Sequence, residues 1–166
     1  LVFPESRTNS IRMKNDLPQR WILKTDHHPF ADNAMRGEWL AFQLGVFALQ
    51  DVQDVTVSFT DLKSKTGKII SAKNIASINT DGIKYDGTVY SNKVNVAKGK
   101  VQALWCGIDV PQSAEPGLYN GKAIVHSGTD TKEILLHLTV GTGITKNGSI
   151  DKPENMTRLK WLNSTM

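Results

Sequence analysis

The chain is short of the features that announce chemistry. It holds a single cysteine, Cys106, which excludes an internal disulfide framework and a thiolate zinc site. That cysteine lies in the apolar stretch "ALWCGIDV" and reads as a small buried hydrophobe rather than a reactive thiol. Long hydrophobic runs are missing. Leu44-Gly45-Val46-Phe47-Ala48-Leu49 is typical, far short of the roughly 20 residues a spanning helix needs. Blocks of like charge are missing too. Lys and Arg number 20 against 16 Asp and Glu, a net charge of +4, but the excess is scattered, whereas a nucleic-acid binder concentrates it. Neither a nucleic-acid partner nor a membrane-spanning segment is expected. The chain has no G-x-x-x-x-G-K-[ST], no G-x-G-x-x-G after a strand and no G-x-S-x-G. Its glycine-rich "GTGITKNG" leads into a linker and makes a poor phosphate cradle.

What is present is β patterning. With 166 residues, 39% hydrophobic and 22% charged, the chain is globular and large enough for one core. The dominant period is two. In "EWLAFQLGVFA" Leu40, Phe42, Leu44 and Val46 share one face, with Trp39, Ala41, Gln43 and Phe47 on the other. In "DVTVSFT" Val55, Val57 and Phe59 alternate with polar residues, a strand with one wet face. Further strands are expected over 10–14, 20–24, 68–71, 75–79, 93–96, 100–110, 118–127 and 132–140. The turn signals "KTGK", "TDGIKYDGT", "AKGK", "SAEPG" and "SGTDT" separate them. Eight or nine short strands at this spacing give an all-β fold, an antiparallel, Ig-like β-sandwich over residues 1–141.

One hairpin can be registered from the pattern. Pairing Ser127 with Lys132 across "GTDT" sets Val125 opposite Ile134, Ala123 opposite Leu136 and Tyr119 opposite Val140. A slip of one residue would mix the faces. Ile124 and Leu135 then remain on the outer face, where a neighbouring segment or domain is expected to cover them. Tyr119, just after Pro116-Gly117, is placed to bond back to upstream backbone, the corner device of Ig-like sandwiches. Beyond residue 141 the Gly/Asn/Lys-rich texture reads as a linker or arm over 142–166, with Met156, Leu159, Trp161 and Leu162 as its apolar anchors. The start "LVFPESR" has no signal-peptide pattern, and both ends read as cut from a longer protein.

"TDHHPF", residues 25–30, resembles a metal-binding signature. Catalytic zinc wants three protein ligands, and a binuclear phosphoesterase needs several carboxylates as well. The chain has no D-x-D element, and His126 and His137 lie some hundred residues away. The stretch is expected to be an exposed loop, with no metal on His27 or His28. His126 and His137 read as surface residues, and no cofactor is expected. No pair of acids is nominated for glycoside hydrolysis. The sequons at Asn147, Asn155 and Asn163 carry weight only in a glycosylating host. Among the tryptophans, Trp21, Trp39, Trp105 and Trp161, Trp105 faces away from Leu104, Cys106 and Ile108. Its strand is apolar on both faces, so burial or an interdomain contact is favoured over a sugar-stacking platform.

Several phrases together, "LVFPESR", "IRMKNDLPQRWI", "RGEWLAFQLGVFA", "VTVSFTDLKS", "KGKVQALWCGIDVPQSAEPGLYNGKAIV" and "RLKWLNSTM", resemble a segment of large glycoside hydrolases related to family 123, secreted by carbohydrate-degrading gut bacteria. The resemblance covers most of the chain and lies in structural phrases, not catalytic motifs. It implies a non-catalytic β-sandwich ahead of a catalytic (β/α) barrel, and a secreted, periplasmic or surface location. In family 123 it further implies an Asp-Glu pair assisting a substrate acetamido group, and no position here matches that motif. The expectation is an accessory or structural domain without catalytic residues. Its partners are other domains of the same polypeptide, and Trp105, Trp161, Ile124 and Leu135 are its candidate contacts. The alternatives are an independent carbohydrate-binding module, for which the same residues would meet glycan, and a small hydrolase in its own right.

Overall fold

The computed structural model describes residues 1–146 apart from Met13, Asp26, His27, Tyr85 and Thr129. The strands are β1 (Val2–Ser6), β2 (Phe30–Arg36), β3 (Trp39–Phe47), β4 (Val52–Phe59), β5 (Leu62–Ser64), β6 (Ile69–Ile70), β7 (Ile75–Ser77), β8 (Asp81–Ile83), β9 (Val89–Ser91), β10 (Val94–Val96), β11 (Val101–Asp109), β12 (Gly117–Ser127) and β13 (Asp130–Ile144). One short helix, α1 (Gln19–Ile22), lies between β1 and β2. The fold is all-β. A four-stranded sheet in the order β1-β3-β11-β7 packs on a seven-stranded sheet whose main path is β10-β4-β12-β13-β2, with β5 and β6 on the β12 side. Strands β8 and β9 form a separate hairpin.

The core is what the period-two pattern requires. Leu40, Phe42 and Leu44 of β3 and Leu104, Cys106 and Ile108 of β11 meet Ala123 and Val125 of β12 and Leu136 and Leu138 of β13 in one cluster. Each fully buried leucine contributes about 2–3 kcal/mol. Phe30 stacks on Phe42 at 4.6 Å between ring centroids, tying the edge strand β2 to the opposite sheet. Tyr119, fully buried, donates its hydroxyl to the Glu115 carbonyl at 2.9 Å, the expected corner bond.

Five expectations need correction. The β12–β13 register is shifted by two residues: Ser127 pairs with Asp130, Val125 with Lys132, Ala123 with Ile134 and Tyr119 with Leu138. A slip of two preserves the faces, so the hydrophobic pattern does not resolve it. The turn decides instead, with only residues 128 and 129 between the strands and Gly128 at φ +59°. Residues 20–24 are not a strand. Pro18, at φ −56°, starts α1, and a helical turn lets Arg20 and Lys24 project from one side while Trp21 turns inward. Residues 10–12 are irregular. The loop at "TDHHPF" ends earlier than expected, because β2 begins at Phe30 and pairs in parallel with β13, which makes that sheet mixed. The strand count is higher than eight or nine because β1, β2, β5, β8 and β9, mostly short or at sheet edges, carry little alternation.

The second face of the four-stranded sheet is also covered, by the segment between β1 and β2. Phe3, Ile11, Trp21, Val101 and Ala103 form a satellite cluster there, with Leu17, Phe47 and Trp105 packed against it. Trp39 and Ala41 form another, joined by Ala76, Ile78 and again Trp105. Two glycines make room for the rings. A Cβ on Gly45 would sit 2.2 Å from Phe3 Cζ, and one on Gly107 would sit 2.2 Å from Trp39 Cζ2.

Candidate functional site

Two buried acids stand out, Glu5 on that covered face and Glu38 in the turn between β2 and β3, and each is paired with a basic side chain. Glu5 follows Phe3 by two residues and so shares its face. Its side chain is 1% exposed. Its carboxylate accepts from Arg20 Nη2 at 2.6 Å, Lys24 Nζ at 3.1 Å, Trp21 Nε1 at 3.2 Å and the Ser6 amide at 2.9 Å. Burial, the largest single influence, pushes this carboxyl up, but the bonds from Arg20, Ser6 and Lys24 together outweigh it and hold it below the ordinary range. Glu38, 2% exposed, accepts from Arg7 Nη1 at 2.7 Å and from the Met35 amide at 2.9 Å. Gln43, fully buried beside Glu5 in the register, accepts from the Ile11 amide and donates to the Ser6 carbonyl. These groups satisfy the backbone of the covering segment and clamp it to the sheet. A glycosidase acid and base must instead face each other across a space that admits substrate.

The outer face of the seven-stranded sheet is the open one. Ile124 is half-buried, and Leu135 and Leu118 are each 42% exposed. Lys122 Nζ reaches Glu133 at 2.7 Å across them, with both side chains about half exposed, a contact worth little by itself. His126 Nε2 lies 2.9 Å from Ser58 Oγ. A serine beside a histidine invites a nucleophile reading, but the catalytic arrangement needs a third group orienting the base and donors for an oxyanion. Here the pair lies on a strand surface, and no such third group is seen on it among the described residues. Sequence reasoning missed it because Ser58 and His126 are neighbours only through the β4–β12 pairing of Ile124 with Ser58 and His126 with Thr56.

Of the other candidates, Trp105 is half-buried between the two satellite clusters. Its amide is bonded to Asn79 Oδ1 and its carbonyl accepts from the Ile78 amide at 2.9 Å. Trp161 and the arm from 147 onward, including its sequons, lie outside the described residues, as does His27. His28 is exposed. The structure therefore places Ile124 and Leu135 on one face and Trp105 on the far side of the sandwich. Cys106 is fully buried and burial pushes its thiol up. No group of three or more His, Cys, Asp and Glu is arranged to hold a metal among the described residues. No helix among them is long and apolar enough to cross a membrane. An open cleft of about 660 Å³ lies at one end of the sandwich, lined by Val46, Phe47, Val52, Val125, Asp130 and Lys132 among others. Its lining mixes apolar side chains with Asp51, Asp130 and Lys132.

Fold and surfaces together define a β-sandwich whose buried charges serve packing. The glycoside hydrolase 123 N-terminal domain matches residues 76–127, the stretch from β7 through β12 that holds Trp105, Tyr119 and Ile124. Among solved structures, a family 123 glycoside hydrolase from Clostridium perfringens, studied for glycolipid glycan hydrolysis, is similar with a TM-score of 0.58 and 21% identity. The similarity covers 70% of this chain and 23% of that enzyme, so the chain spans about a quarter of its length. The major subunit of Myf fimbriae from Yersinia enterocolitica, MyfA in self-complemented form, is 10% identical over 84% of this chain and 98% of its own, with a TM-score of 0.48. No curated protein matches the chain. The chain thus resembles a glycoside hydrolase family 123-like segment, and what it resembles there is the N-terminal domain.

Proposed function

We propose that this chain is a non-catalytic accessory β-sandwich of a larger, secreted glycoside hydrolase, which it supports or orients. The observation that carries the reading is the match of the family 123 N-terminal domain over residues 76–127. The burial and ion pairing of Glu5 and Glu38 agree with it, since each carboxylate is taken up by Arg or Lys and backbone donors. The tyrosine corner at Tyr119 supports the Ig-like form of the sandwich. The contact surface with the catalytic domain is the outer face of the seven-stranded sheet, through Leu118, Ile124 and Leu135, because the opposite sheet is already covered from within. Trp105 is committed to the satellite clusters and serves as a contact only at its exposed edge; Trp161 belongs to the connection with the next domain.

The test compares the full-length enzyme with a version lacking residues 1–146, using a chromogenic amino-sugar glycoside. The intact protein should turn over substrate, the isolated 166-residue chain should not, and the truncated enzyme should lose activity or thermal stability. Turnover by the isolated chain would overturn the proposal. A second reading, a carbohydrate-binding module, is favoured by the half-exposed ring of Trp105. Titration calorimetry with amino-sugar glycans decides it, since heat that vanishes in Trp105→Ala would support a glycan site.

A further inference from the structure

The sequence texture after residue 140 reads as a linker or extended arm, and as far as Lys146 the chain is held against the sandwich. Val140 is the last residue of β13 paired with β12. Beyond it the chain keeps running along β2, with Val140 opposite Ala34 and Ile144 opposite Arg36, the extra residues forming a bulge. Thr145 is completely buried. Its amide donates to the Arg36 carbonyl at 2.8 Å, and its carbonyl accepts from Gln112 Nε2 at 3.1 Å. Arg36 Nη2 donates to the Thr142 carbonyl at 2.6 Å. Gly37 makes this approach possible. It sits at φ +79°, and a Cβ there would lie 2.3 Å from the Thr145 carbonyl oxygen and 2.9 Å from Gln112 Cγ.

The turn that receives Thr145 is itself anchored. The Gly37 amide donates to the Val110 carbonyl at 2.8 Å, and the Val110 amide to the Glu38 carbonyl at 2.9 Å. The buried Glu38 carboxylate holds the Met35 amide and is held by Arg7. The ends of β2 and β11 thus converge on residues 142–145, and Arg7, just after β1, braces the turn between β2 and β3 through Glu38. A solvated linker has no reason to bury a threonine with hydrogen bonds on both sides of its backbone.

We infer that the β2–β3 turn, Gln112 and Arg36 form a clasp on residues 142–145 that fixes where and in which direction the chain leaves the sandwich. The domain then holds its own chain through residue 145 and sets the path on which it departs. This deepens the accessory reading and rests on it for the existence of a following unit.

The test uses the 166-residue chain. A nitroxide is placed on Lys146→Cys; the buried Cys106 is shielded from the label. The spectrum should show the broadened lines of a restricted label, and Gln112→Ala should sharpen them. In parallel, exchange of the Thr145 amide should accelerate at least tenfold in Gln112→Ala, while the Leu136 amide, deep in β13, is unchanged and reports an intact fold. Gly37→Ala should have the same two effects. A sharp, mobile spectrum in the unsubstituted background, or a Thr145 amide indifferent to Gln112→Ala and Gly37→Ala, would overturn the clasp. Such a failure leaves the accessory reading intact, whereas turnover by the isolated chain would sink that reading without touching the clasp.

Discussion

Replacing Glu5 by Gln tests whether a buried charge cluster holds the 7–24 segment on its sheet. The substitution keeps size and one acceptor but removes the charge that faces Arg20 and Lys24 and accepts from Trp21 Nε1. Breaking a fully buried ion pair costs about 3–5 kcal/mol. The partners here are wetter, with Arg20 51% and Lys24 28% exposed, so solvent screens them and rehydrates them when the carboxylate is gone. A loss of about 2 kcal/mol is the expected size, close to that of one strong charge-assisted hydrogen bond. For a domain of this length it lowers Tm by about 4–8 °C. The pH dependence supplies a second check. The folded-state pKa of Glu5 lies below its unfolded value. Its contribution is therefore complete above the unfolded value of about 4.5 and fades as pH falls through the lower, folded value. Thermal melts of wild type and Glu5→Gln should differ most near neutrality and converge in acid. A Tm difference under about 1 °C at pH 7, or one that persists undiminished below the folded pKa, would refute the role assigned to the cluster.

Substitutions at three further positions probe separate parts of the architecture by thermal melting. Tyr119→Phe removes the hydroxyl that bonds to the Glu115 carbonyl and should cost about 1 kcal/mol, or about 2–4 °C. Gly107→Ala drives a methyl into the Trp39 ring, 2.2 Å from Cζ2, and should cost about 1–3 kcal/mol through overpacking; an unchanged Tm would mean that the ring moves freely. Asp54 sits at φ +57° in the β4 bulge, where Val52 pairs with Val96 and Val55 with Val94. Asp54→Gly should be neutral or slightly stabilising, since its ion pair with Lys93 is exposed, whereas Asp54→Val should lose about 1–2 kcal/mol.

What was legible in the sequence followed the strength of its periodicity. β3, β11, β12 and β13 are long, central and apolar on at least the core side, so alternation locates them and separates their faces. The same alternation is blind to a slip of two, which is why the hairpin register came out wrong: Gly128, not the core, chooses between a two-residue and a four-residue turn. Short strands and edge strands offer few residues over which alternation can show and leave little pattern. β2 was hidden behind "TDHHPFADN", whose polar letters suit an edge. Glu5 was not legible at all. A charged residue near the start of a chain reads as exposed, and its partners Arg20 and Lys24 are distant in sequence. The signal that could have exposed it is the pair Arg20 and Lys24, one helical turn apart around Trp21, once Pro18 is taken as a helix start and not as a break before a strand.

The covering of the four-stranded sheet narrows the choice of working surface. A sandwich has two outer faces, and here one is closed by the chain's own Ile11, Leu17 and Trp21. The other keeps Leu118 and Leu135 partly in water and crosses them with a charged pair, Lys122 to Glu133. That mixture suits a partner that arrives and is held by geometry: the apolar area is small, and the ion pair stays at the rim where water can reach it. A contact of this kind gains most when the partner is already presented in position, because the entropy of association is then met by the connection and not by the surface. The clasp at Thr145 provides such a connection. Under the proposed accessory role, a weak face and a held exit are two halves of one arrangement, in which orientation is set at the end of β13 and the outer strands accept what is placed against them.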